Sequence, residues 1–256
     1  MNYVNVNGIT LAYERRGRGA PLVLLHGFPL DHTIWDEVAP LLEGRADVIL
    51  PDLRGHGASE APESSYSIDD MADDVTALLD HLGVERATVV GHSMGGYVAL
   101  AFAQRHLDRL AGLGLVATHA AADSPERRAA REAQMKEVAE KGVAPLAEGM
   151  SAKLTRDPAL AARLRNLILK TKPAGVIGAL RAMAGRPDRR EFLPSVDVPA
   201  VVVIGLDDAI LPPELGREMA SLLPQARLFE IAGVGHMPMM EAPRQVAEAL
   251  LELRED

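Results

Sequence analysis

The chain has 256 residues, 48% hydrophobic and 25% charged, which suits one globular unit, with or without a sizeable insertion. A net charge of -9 argues against general nucleic-acid binding, and the absence of cysteine excludes disulfides, thiol nucleophiles and cysteine-held metals. With no basic-then-apolar leader and no apolar run of about 18 residues, the expectation is a cytoplasmic protein without a membrane partner.

In chain order, Val4–Gly8 and Thr10–Glu14 read as two short strands joined at Asn7-Gly8, a hairpin signal. Pro21–Leu25 is a continuous apolar run, as expected of a strand covered on both faces, and Ala46–Leu50 is similar. Helical spacing follows over Ile34–Leu42 and over Ile68–Leu82, the second opened by Ser67, an N-cap residue type. Then come a strand at Ala87–Val90, a helix at Met94–His106 and a strand near Leu110–Ala117. From Ser124 to about Gly185 only helical periodicity is visible, broken by Gly142, Pro158 and Pro173. The alternation resumes with a strand at Pro199–Gly205, a helix at Pro213–Leu223, a strand at Ala226–Ile231 and a helix at Pro243–Leu253.

Strands alternating with helices predict an α/β fold with a parallel sheet and helices on both faces. The helical stretch is expected to be an insertion at the C-terminal edge of that sheet, where such folds bind ligands. This divides the chain into a core of residues 1–118 and 192–256 and a helical cap of residues 119–191. Residues 125–191 carry 15 Lys/Arg against 8 Asp/Glu, so the cap is basic while the rest is strongly acidic. The positive charge either solvates the outer helix faces or draws in anionic substrates.

Gly91-His92-Ser93-Met94-Gly95 joins the Ala87–Val90 strand to the following helix. A Gly-x-Ser-x-Gly turn in that setting lifts the serine hydroxyl clear of the sheet, within reach of a base and a substrate carbonyl. Ser93 is therefore the candidate nucleophile. His236, in Gly233-Val234-Gly235-His236, follows the last strand and falls at the same sheet edge, which makes it the candidate base. Of the other histidines, His26, His56 and His92 read as turn residues, and His32, His81 and His106 as surface residues. An imidazole in that role needs a carboxylate behind it. Asp207 and Asp208 both follow the Val201–Ile204 strand; Asp208 is the choice and Asp207 the reserve. The amide of Met94, at a helix N-terminus, and that of Phe28, in His26-Gly27-Phe28-Pro29, are the candidate oxyanion donors.

Together with Pro51-Asp52-Leu53-Arg54-Gly55-His56-Gly57, these motifs in Ser–Asp–His order resemble the α/β-hydrolase fold family, over nearly the whole chain outside residues 119–191. The resemblance implies a mostly parallel eight-stranded sheet with an inserted cap. The position of Asp208, three residues after Gly205 and four before Pro212, supports it as the acid. The resemblance is strongest to small bacterial carboxylesterases and to 3-oxoadipate enol-lactonases. It implies cleavage of small to medium carboxylic esters through an acyl-enzyme. Lactone hydrolysis or cofactor-free perhydrolase (haloperoxidase) chemistry is the alternative, and a purely binding scaffold is disfavoured by the intact set of reactive residues. No metal, nicotinamide or flavin motif is visible, so no cofactor is expected, and a small-molecule ester or lactone is the expected partner of a monomer or homodimer. Candidate substrate contacts are Trp35, His119, Met135, Met150, Met183 and Met237; the methionines suggest an adaptable, largely aliphatic pocket.

Overall fold

In the computed structural model, which describes residues 1–253, eight strands form one sheet in the order β1-β2-β4-β3-β5-β6-β7-β8. The last three residues of the expected 192–256 segment lie outside the described residues. The strands are β1 (Asn2–Val6), β2 (Ile9–Gly17), β3 (Ala20–Leu25), β4 (Ala46–Pro51), β5 (Ala87–His92), β6 (Leu110–Val116), β7 (Ala200–Gly205) and β8 (Ala226–Ile231). Only the β1–β2 and β2–β4 pairings are antiparallel. From β4 onward every neighbour is parallel, as crossover helices require.

The central strands are apolar on both faces because helices cover both. Leu24, Leu25, Val89, Val90, Leu113, Leu115 and Val202 are all fully buried. The helices packed on the sheet include α1 (Ala39–Leu42), α2 (Ile68–His81), α3 (Met94–Arg105), α8 (Pro213–Leu222), α9 (Pro238–Glu241) and α10 (Pro243–Leu251). α2 begins where a cap predicts it: Ser67 and Asp70 exchange side-chain and backbone hydrogen bonds in a capping box. No helix among the described residues is long and apolar enough to cross a membrane.

Between β6 and β7 the chain forms four α-helices, a 3-10 turn (Arg190–Ser195) and no strand: the helices are α4 (Pro125–Lys141), α5 (Ala144–Leu154), α6 (Pro158–Leu169) and α7 (Pro173–Ala184). Each begins with proline in its first turn, where the missing amide costs nothing. α4 is the most solvent-exposed of them, with Val138 its one fully buried residue. α7 is the best anchored: its Gly175 lies against the backbone of Gly55, and the Tyr66 hydroxyl donates to the Gly175 carbonyl at 3.2 Å.

One segment departs from expectation. Ile34–Leu42 is not a continuous helix but a 3-10 turn (His32–Trp35) and the separate short α1. Asp31 caps the first turn by accepting from the Thr33 amide at 3.0 Å, and Pro40 starts the second afresh.

The Gly55–Gly175 approach leaves no room for a side chain, since a Cβ on residue 175 would overlap the Gly55 carbonyl oxygen. Gly175→Ala is expected to destabilise the protein by about 1–3 kcal/mol. Urea unfolding measures this; a variant as stable as the parent would show that the helices do not bear on that loop.

Candidate active site

Ser93 occupies a backbone conformation that few non-glycine residues adopt, φ 51° and ψ -112°. Such a geometry costs on the order of 1–3 kcal/mol and persists only where its surroundings hold it. Here the Ser93 amide donates to the Val116 carbonyl at 2.9 Å. Its own carbonyl accepts from the Gly96 amide at 2.9 Å and from the Thr118 hydroxyl at 2.7 Å. Gly91 is required because a Cβ there would overlap the Gly95 carbonyl as the chain doubles back from β5 into α3.

The Ser93 hydroxyl lies 3.0 Å from His236 Nε2, and His236 Nδ1 lies 2.7 Å from Asp208 Oδ2. With Nδ1–H donating to the carboxylate, Nε2 is left to accept the serine proton. Asp208 is oriented by its other oxygen, which accepts from the amides of Ile210 at 2.7 Å and Leu211 at 3.0 Å. Its side chain is 3% exposed and that of His236 1%, so their contact is shielded from water. Asp207 points outward to Arg156, at 2.8 Å. The structure therefore unites residues 93, 208 and 236 and leaves Asp207 on the surface.

His236 sits in a loop, yet its backbone is held at every side. Its amide donates to the Leu154 carbonyl at 3.1 Å, and its carbonyl accepts from His92 Nε2 at 2.8 Å. The Glu241 carboxylate accepts from the flanking amides of Gly235 and Met237, each at 3.2 Å. Burial, with His236 next, pushes the His92 pKa well down, so the ring is neutral and Nε2–H is the donor.

The amides of Met94 and Phe28 donate to no acceptor among the described residues. Met94 opens α3, so its amide carries the helix's partial positive charge. The Phe28 loop is supported from below: Leu53 donates its amide to His26 Nε2 at 2.9 Å, and the His32 amide and Nδ1 both meet Asp52 Oδ1. His32, expected at the surface, is thus buried, and His106 is half-buried against Asp73 at 2.8 Å.

Ser93 and His236 open into a cavity of about 460 Å³, a size suited to small organic ligands. Phe28, Tyr97, Met183 and Leu211 line it from one set of elements; α4 and α5 contribute Arg127, Arg131, Val138, Leu146, Met150 and Lys153. Met150 and Met183 line the cavity; four other expected contacts do not. Trp35 is fully buried, because the Asp31-capped turn directs its ring into the core. His119 is buried behind the wall, hydrogen-bonded to the Tyr97 hydroxyl at 3.1 Å. Met135 lies off the α4 strip that faces the cavity and packs against the core, and Met237 is fully buried beneath its neighbour His236. Tyr97, Arg127, Arg131, Lys153 and Glu241 were not singled out from sequence. Tyr97 stands one helical turn after Ser93, and residues 127, 131, 134 and 138 share one face of α4, so helical spacing was the available signal. Among the described residues, no group of three or more His, Cys, Asp or Glu side chains is arranged to hold a metal ion.

The loop support carries a pH signature. Burial opposes the charge on His32, but the hydrogen bond to Asp52 and that residue's charge outweigh it and raise the pKa above the ordinary 6.5. Asp52 is likewise held below its ordinary 3.8, with burial opposing and His32 and His26 prevailing. The pair's stabilisation is therefore complete between pH 3.8 and 6.5. It fades as pH rises through the raised histidine pKa, and also as pH falls through the depressed aspartate pKa. Wild type should be more stable than His32→Gln near about pH 6, and the gap should narrow by about pH 9 in urea unfolding. A gap of constant size would contradict the pairing.

Comparison with known proteins agrees with this architecture. The family described as alpha/beta hydrolase fold matches residues 20–243. A thermophilic esterase from Thermogutta terrifontis is 40% identical and superposes with a TM-score of 0.95 over 98% of this chain and 97% of that one. The enol-lactonase from Burkholderia xenovorans LB400 is 30% identical, with a TM-score of 0.91 over 98% and 99% of the two chains. The dihydrolipoyllysine-residue acetyltransferase component of an acetoin cleaving system from Pseudomonas putida is 34% identical over 91% of this chain, which spans 63% of that protein's length. Eight strands in this order, a strained turn between β5 and α3, and these matches agree: the chain belongs to the α/β-hydrolase family.

Proposed function

We propose that the protein is a serine hydrolase of small to medium carboxylic esters. The observation that carries this reading is the contact chain from Ser93 through His236 to Asp208, at 3.0 and 2.7 Å, at the mouth of the cavity. Ser93 Oγ attacks the ester carbonyl while its proton passes to His236 Nε2. Asp208 stabilises the resulting imidazolium, and the amides of Phe28 and Met94 receive the negative charge on the carbonyl oxygen. Collapse of the tetrahedral species breaks the carbon–oxygen bond to the alcohol, which leaves with the proton from His236. Water then attacks the acyl-enzyme, giving its proton to His236; the acid is released and Ser93 regains its hydrogen.

The same steps open a lactone, where the departing alcohol stays tethered to the acyl group. The similarity to the enol-lactonase favours this as the second reading.

A fluorophosphonate should label the protein stoichiometrically at Ser93, and Ser93→Ala should abolish labelling and cut ester turnover by about 10⁴-fold or more. Peptide mass mapping and a series of p-nitrophenyl esters read these outcomes; an unlabelled Ser93 in folded protein would refute the proposal.

The two adjacent acids separate cleanly. Asp208→Asn should lower turnover by roughly 10⁴-fold, because the imidazole loses its tautomer and its counter-charge. Asp207→Asn removes only an exposed ion pair and should change turnover by less than about threefold. Kinetics with the reverse pattern would assign the role to Asp207.

A further inference from the structure

The part of the cavity wall built by α4 and α5 carries three cations against one acid. Arg127, Arg131, Gln134 and Val138 fall at helical spacing on one strip of α4, and Lys153 joins them from α5. Some cations of the four-helix segment are matched, Arg156 with Asp207, Arg163 with Glu37 and Arg165 with Glu148, while Arg128, Lys136, Lys170, Lys172 and Arg181 meet no carboxylate among the described residues but do not line the cavity. Arg127 and Lys153 meet no carboxylate among the described residues. Glu137, the one acid on this wall, is taken up by Lys141 at 3.1 Å.

The excess continues behind the wall. Asp123, with a fully buried side chain, is shared between Arg131 and Arg186, the latter at 2.8 Å and 2% exposed. The Arg186 guanidinium lies 3.9 Å from the centre of the Tyr97 ring, which lines the cavity. One carboxylate against two guanidinium groups leaves a positive charge where little water reaches. His119 adds no compensation: burial first, then Arg186 and Arg127, push its pKa down to about 3, so it is neutral. Positive charge beside a partly apolar cavity attracts an anion more strongly than it would in open water.

We infer that the cavity selects substrates carrying a free carboxylate in addition to the ester group presented to Ser93, with Arg127 and Lys153 as the recognising pair. This rests on the reading of Ser93 as nucleophile. The class is half-esters of short dicarboxylic acids. Arg131 stays engaged with Asp123 and contributes field rather than a direct contact.

The test compares kcat/KM for the monoethyl and diethyl esters of succinic, glutaric and suberic acids. Wild type should favour at least one half-ester by roughly tenfold after correction for the two equivalent groups of the diester, and salt should erode the preference. In Arg127→Gln/Lys153→Gln the half-ester to diester ratio should fall toward one. A wild-type ratio at or below one for all three acids, or a ratio unmoved by the double substitution, would overturn the inference. Calorimetry of glutarate with Ser93→Ala protein separates the two readings, since it needs no turnover. Glutarate binding that the double substitution abolishes supports the carboxylate site even if no ester is cleaved. No glutarate binding counts against the site even if neutral esters are cleaved and Ser93 is labelled.

Discussion

The strained backbone at Ser93 is the constraint from which the rest of the site follows. A φ of 51° is tolerated because β5 is hydrogen-bonded between β3 and β6 in the middle of the sheet, and α3 starts at the next residue. Strand and helix cannot both be satisfied without the sharp corner between them. The corner lifts the Ser93 side chain off the sheet edge and leaves the Met94 amide facing outward with no acceptor in its own helix. The same turn carries His92, whose Nε2 holds the His236 carbonyl at 2.8 Å. One local distortion therefore presents the Ser93 hydroxyl, exposes the unpaired Met94 amide and anchors His236.

His236 needs such anchoring because it lies in a loop, where no regular ladder fixes the backbone. Four hydrogen bonds replace the ladder: one from His92, one to Leu154, and two into Glu241 from the amides on either side. Each is modest alone, worth about 1 kcal/mol net. Acting together they restrict the imidazole to the geometry in which Nε2 faces Ser93 and Nδ1 faces Asp208. Buried donors and acceptors left unmet in that loop would cost more than the bonds gain, so the arrangement is self-selecting.

Much of this was legible in the amino-acid order, for a physical reason: the informative features are local. The strand before Ser93 and the small residues around it are set by neighbours a few positions away, whereas the choice of Asp208 over Asp207 leaned on the family resemblance. The run of helices from residue 125 to 184 was legible in the same way, from periodicity and proline placement. Tertiary choices were not. Trp35 and Met237 offered chemistry suited to a pocket, but which way a ring or thioether turns depends on how the turn beneath it packs. His32 read as a surface residue because its partner, Asp52, is distant in sequence and reaches it only once β4 is in place. The cavity face of α4 could be listed as a helical strip, yet which strip faces inward depends on how that helix docks, and Val138 alone marks it by burial.

The two parts of the molecule divide the work unevenly. The sheet side holds Ser93, His236 and Asp208 in fixed positions, and the four helices supply most of the charged wall of the cavity. Charge follows the same division, basic in residues 125–191 and acidic in the remainder. The α4 face is attached to Ser93, His236 and Asp208 by no direct hydrogen bond, and its Arg131 is tied instead to the buried Asp123. α5 is different: the carbonyl of its last residue, Leu154, receives the His236 amide, while Lys153 beside it lines the cavity. A shift of α5 is thus felt at both places at once. On the function proposed above, the cavity lining is therefore freer to change on α4 than on α5, where a displaced helix would loosen His236.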